Sequence, residues 1–147
     1  MTLTPLMKRV ALAKSLGLVF GLAAPLLLTP VSAAETMLVW GIVLWSVILG
    51  ALVGLAGQFD RVPVFDIHLP AGFRGSWIGL WMGVVLLLVA QEPLGVVWAR
   101  SEWLPQPGPG AWWLIAEATL IGALIDLAVT AVTDPTTRGT GQRRPRH

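Results

Sequence analysis

The chain has 147 residues, 55% of them hydrophobic and 12% charged, with a formal net charge of +2. Globular domains run nearer a quarter charged, so this composition lies outside the soluble range. Cysteine is absent and only two histidines occur, His68 and His147, the second at the very end of the chain. Disulfides, thiolate catalysis, Cys-ligated metal or iron–sulfur sites and a three-histidine metal site are thereby excluded within one chain.

Polar residues are gathered into short stretches with long uncharged runs between them, as expected of a chain whose solvent is lipid. The first apolar run, residues 10–29, is interrupted by Lys14 and Pro25. The second, 37–56, carries no charge. The third, 76–98, passes Gln91, Glu92 and Pro93, and the fourth, 111–132, contains Glu117 and Asp126. Each supplies the roughly 20 residues a helix needs to cross about 30 Å of hydrocarbon. The expectation is an all-α integral membrane protein, a bundle of four transmembrane helices over residues 1–133. Residues 134–147, rich in Thr, Gly, Pro and Arg without apolar periodicity, read as a basic, disordered cytoplasmic tail.

The beginning of the chain has a second reading. Basic residues, an apolar stretch, the helix-breaking Pro30 and then Val31, Ser32 and Ala33 resemble a cleavable signal peptide. Cleavage after residue 33 would leave three helices and the rest of the topology unchanged.

Orientation follows from the loop cations. With the N-terminus inside, the cytoplasmic segments hold nine (Lys8, Arg9, Lys14, Arg61, Arg74, Arg138, Arg143, Arg144 and Arg146) and the outer side only Arg100. A multi-pass protein of the bacterial inner (plasma) membrane with both termini cytoplasmic is the expected placement. Trp40, Trp98, Trp103, Trp112 and Trp113 then fall near the outer boundary and Trp77 near the inner one, which reads as an interfacial tryptophan belt.

Small residues let helices approach closely where no hydrophobic effect draws them together. Gly75, Gly79 and Gly83 recur at spacing four on the third helix and Gly50 and Gly54 on the second, a glycine-zipper pattern expected to line helix contacts within the chain or with another chain. Glu117 and Asp126 are the intramembrane ionisable residues, each costing about 2.5–3.5 kcal/mol to insert unless paired, protonated or functional. Their nine-residue separation puts them half a turn out of phase. Asp126 shares its face with Thr119, Gly122, Ala123 and Thr130, a stripe suited to a bundle interior. Glu117 shares its face with Trp113, Leu114, Leu120, Ile121 and Leu124, an outward surface. Glu117 is therefore expected to be protonated, to pair with Arg100, or to meet a polar group on another subunit.

The cytoplasmic loop, residues 58–75, carries a polar cluster of Asp60, Arg61, Asp66, His68 and Arg74. Apolar Phe65, Ile67 and Leu69 alternate with Asp66 and His68, which favours an extended segment. Its functional reading is a polar site with His68 oriented by Asp66; the simpler one is an interfacial loop with solvated charges.

These features point first to a small scaffold or accessory subunit of a membrane protein complex, whose partners are the lipid bilayer and other membrane subunits or further copies of the chain. A small oligomeric transporter or channel using Asp126 and Glu117 is the alternative. A permeabilising protein is third, since small size, several spans and a basic tail resemble the phage holins in outline. No metal motif, nucleophile elbow, phosphate loop or paired-acid spacing marks an enzyme, and no cofactor or nucleic acid is expected.

Overall fold

The structure, a computed structural model, describes residues 4–57, 61–62, 67–68, 70–100 and 112–133. Its helices begin and end where local chemistry demands. Thr4 caps α1, Pro5–Gly21, its hydroxyl accepting from the Met7 amide at 3.3 Å, and Pro5 stands in the first turn, where a missing N–H has no helical acceptor anyway. α1 thus starts before residue 10 and takes Lys8 and Arg9 into the helix. Pro25 has no N–H for the Gly21 carbonyl and its ring crowds that group, so the helix breaks at Leu22 and resumes as the short α2, Ala23–Leu27.

α3, Ala33–Ala56, starts earlier than residue 37 because Ser32 and Glu35 build its first turn. The Ser32 hydroxyl accepts from the Glu35 amide at 3.2 Å, and the Glu35 carboxylate accepts from the Val31 amide at 2.9 Å. This is the reciprocal capping arrangement of Ser-x-x-Glu, shifted one residue upstream at its second bond. α4 is Phe73–Ala99 and α5 is Trp112–Thr133. Gly72 turns the chain into α4 at φ 91°, a conformation that side chains strongly disfavour. Pro93 lies inside α4 and the helix continues past it. Between α3 and α4, two backbone pairs form a short antiparallel ladder, Arg61 with His68 and Val62 with Ile67. The four long helical segments are each long and apolar enough to cross a membrane, so the chain is a four-helix membrane bundle.

The bundle is two tight hairpins. In the first, α1 lies against α3 with glycine at each close approach. A Cβ on Gly17 would run into the Ser46 carbonyl, one on Gly50 into the Ala13 carbonyl, and one on Gly54 would come within 2.9 Å of the Val10 Cα. In the second, Gly75 abuts the backbone of Gly122, Gly79 that of Ala118, and Gly83 the Ile115 Cα. Both glycine rows therefore meet a neighbouring helix of the same chain. The hairpins join along a core of Ala13, Leu49, Val53, Ile125 and Val129. Farther along, the Trp45 indole donates to the Met82 carbonyl at 3.2 Å, tying α3 to α4. At the far end Leu28 and Val39 pack on Val97, and Ala90 and Leu94 on Leu114.

These contacts separate two kinds of glycine. Gly79→Leu should lower the stability of the bundle by about 1–3 kcal/mol or more, since the neighbour to be displaced is backbone. A Cβ at Gly41 or Gly95 meets nothing within 4 Å, so Gly41→Ala should leave stability unchanged or slightly raised. Denaturation by SDS followed by circular dichroism compares them, and equal losses would contradict the packing described.

Candidate functional site

At the end of the bundle where α1 starts and α5 finishes, charged groups from three helices meet in the interior. Asp126 is fully buried, with 0% of its surface exposed. One carboxylate oxygen, Oδ2, accepts from the amides of Gly72 at 3.0 Å and Gly75 at 3.3 Å, the donors at the start of α4. The first amides of a helix have no partner within it and carry the positive end of its dipole, so a carboxylate there is held by hydrogen bonds and field together. The other oxygen, Oδ1, accepts from Arg9 Nη2 at 3.3 Å. Arg74, in the first turn of α4, places its Nε 3.7 Å from Oδ2.

Arg9 is held equally closely. Its Nη2 donates to Thr130 at 3.0 Å and its Nη1 to Thr133 at 3.3 Å. The guanidinium lies directly over Gly57, the C-cap of α3, where a Cβ would collide with it. The C-terminus of α3 presents the negative end of a helix dipole to this cation. The ion pair thus sits between the end of one helix and the start of the next, each charge beside the pole that stabilises it.

A second ionic contact closes the opposite end. Arg100 donates to Glu35 at 2.7 and 3.1 Å, a two-pronged bond joining the start of α3 to the residue after α4. The hydrogen bonds to Glu35 push the Arg100 guanidinium above its ordinary pKa range. Arg100 was a candidate partner for Glu117, but its donors go to Glu35.

Among the residues expected to carry function, Asp126 lies in the interior and Glu117 on the exposed surface of α5. The two carboxylates do not meet. Thr119, which shares the Asp126 face, turns its hydroxyl back to the Ile115 carbonyl at 2.6 Å, a common resting place for a helical threonine. Of the loop cluster, Arg74 is drawn into α4 beside Asp126, and Arg61 and His68 face each other in the backbone ladder. Asp60 and Asp66 lie outside the described residues, as does the tail at 134–147. Gly50, Gly54, Gly75, Gly79 and Gly83 all line helix contacts. Among the described residues no three His, Asp or Glu side chains gather as a metal site would require.

Sequence reasoning took Arg9 for a topology charge and passed over Glu35. Both had signals. Arg9, Ala13, Gly17 and Gly21 recur at spacing four and form the buried face of α1, so the cation stands in register with a small-residue stripe. Glu35 stands three residues after Ser32, the capping pattern.

Comparison with protein-family models, curated proteins and solved structures gives no match for this chain.

Removing one partner of a buried pair strands the other charge and typically costs about 3–5 kcal/mol, whereas replacing both by apolar residues is often neutral. Asp126→Ala should therefore destabilise the bundle severely, and Asp126→Asn less, because the amide oxygen still accepts from Gly72 and Gly75. The double variant Arg9→Met, Asp126→Leu should recover part of the loss, less the two α4 amides left bare. Midpoints of SDS unfolding for the four proteins give the order.

Proposed function

We propose that the chain is a small scaffold or accessory subunit of a membrane protein complex, sitting in a bacterial inner membrane with both termini in the cytoplasm. The observation that carries this reading is the state of Asp126. A carboxylate that loads and releases ions or protons needs access to water and a bond it can give up. Asp126 has no exposed surface and is held by two amides and Arg9. That is the position of a structural acceptor. Under this orientation nine of the ten lysines and arginines fall toward the cytoplasmic side, which supports it. Exposed Trp40 and Trp112 suit an outer tryptophan belt, and the intrachain glycine contacts leave the outward faces free for neighbours.

The alternative, an oligomeric transporter using Asp126 and Glu117, keeps one favourable observation, the exposure of Glu117 within a spanning helix. One pair of measurements separates the two. Purified from its native membrane in mild detergent, the chain should bring a defined, stoichiometric set of larger proteins, and Asp126→Asn should bring the same set. A clean homo-oligomer whose ion flux in liposomes is abolished by Asp126→Asn would replace the subunit reading with transport.

A further inference from the structure

α5 presents an outward stripe that the bundle does not use. Glu117, Leu120, Leu124, Ala128 and Ala131 are all exposed and recur at spacings of three or four, so they share one face of the helix. The stripe runs four turns, about 21 Å, with leucines in its upper half and small residues below, where another helix can approach closely. At its head stands a carboxylate. Gly83 abuts Ile115 and Ala118, so Glu117 is level with Gly83, near the middle of α4. The exposed Gln91 and Glu92 lie eight and nine residues farther along α4, about 12–13 Å closer to the outer surface.

Asp126, the other carboxylate deep in the bundle, has its cation within the chain in Arg9. No described cation reaches Glu117. Lys14 adjoins Ala13, whose core cluster includes Ile125 and Val129, so it lies on the side of Glu117 where α1 starts. A second copy in the same orientation therefore brings its nearest described cation in below Glu117, and headgroup amines lie farther out.

Resting on the subunit reading above, we propose that this stripe of α5 is the docking face for a transmembrane helix of a different protein, one that carries a lysine or arginine at the depth of Glu117 to pair with it. Low dielectric strengthens such a pair, and close packing along Leu120, Leu124, Ala128 and Ala131 sets its register.

The test uses the full chain, fluorescently labelled and reconstituted in phosphatidylcholine vesicles with single-span helical peptides of leucine and alanine. One peptide carries lysine at the depth of Glu117, one leucine there and one glutamate. Energy transfer should report association of the lysine peptide at least tenfold above the leucine peptide, and Glu117→Gln should abolish the difference. Glu117→Lys should exchange the preference to the glutamate peptide, and Glu117→Gln alone suffices should that variant insert poorly. Equal association of lysine and leucine peptides overturns the proposal. So does a lysine preference that survives Glu117→Gln, or self-association of the chain that Glu117→Gln removes. A defined native complex with no peptide preference would keep the subunit reading and remove only this docking face. Peptide preference without native partners would do the reverse.

Discussion

A helix that begins inside a bundle must find acceptors for its first amides, and near a membrane boundary no water is assured to supply them. In this protein the start of α4 finds them on another helix, in the carboxylate of Asp126. That single acceptor constrains much else. It buries a negative charge, which requires a cation, and Arg9 provides it from α1. Arg9 in turn needs a flat surface and more acceptors, which Gly57, Thr130 and Thr133 supply. The result is one polar knot in contact with α1, α3, α4 and α5.

The knot and the glycine contacts divide the work between them. Glycine rows hold α1 to α3 and α4 to α5, where each backbone lies directly on the next. Dispersion between close surfaces is the main attraction available in lipid, and it falls steeply with distance. Between the hairpins the fit relies on larger side chains, and there the ionic contacts appear, Arg9 with Asp126 at one end and Glu35 with Arg100 at the other. Charge pairs at both ends, with an apolar core and the Trp45–Met82 bond between, set the relative height of the two hairpins.

This division also bears on function. The interior charges are engaged in tying helices together. Glu117 is different in kind, because it stands on the outside of a helix whose inner face is already filled by Ile125, Asp126 and Val129. A membrane protein gains nothing structural within its own fold from a carboxylate in that place, which turns attention from an internal site to what lies against α5.

By itself the sequence was enough for the bilayer-spanning class, the approximate limits of the long apolar helices, and the opposed faces of Glu117 and Asp126. These depend on local properties, namely run length, composition and the phase of 3.6 residues per turn. Cap chemistry at Thr4 and Ser32 moved the helix starts by a few residues, because a single hydroxyl outweighs the average apolarity of a window. Pairing was decided only by the tertiary structure. The glycine spacing shows a face made for close contact but not which helix meets it. Nor does position in the chain reveal that Arg9 finds Asp126, 117 residues away. Helical phase tells which way a side chain points; which group it meets depends on how separate helices settle against one another in space.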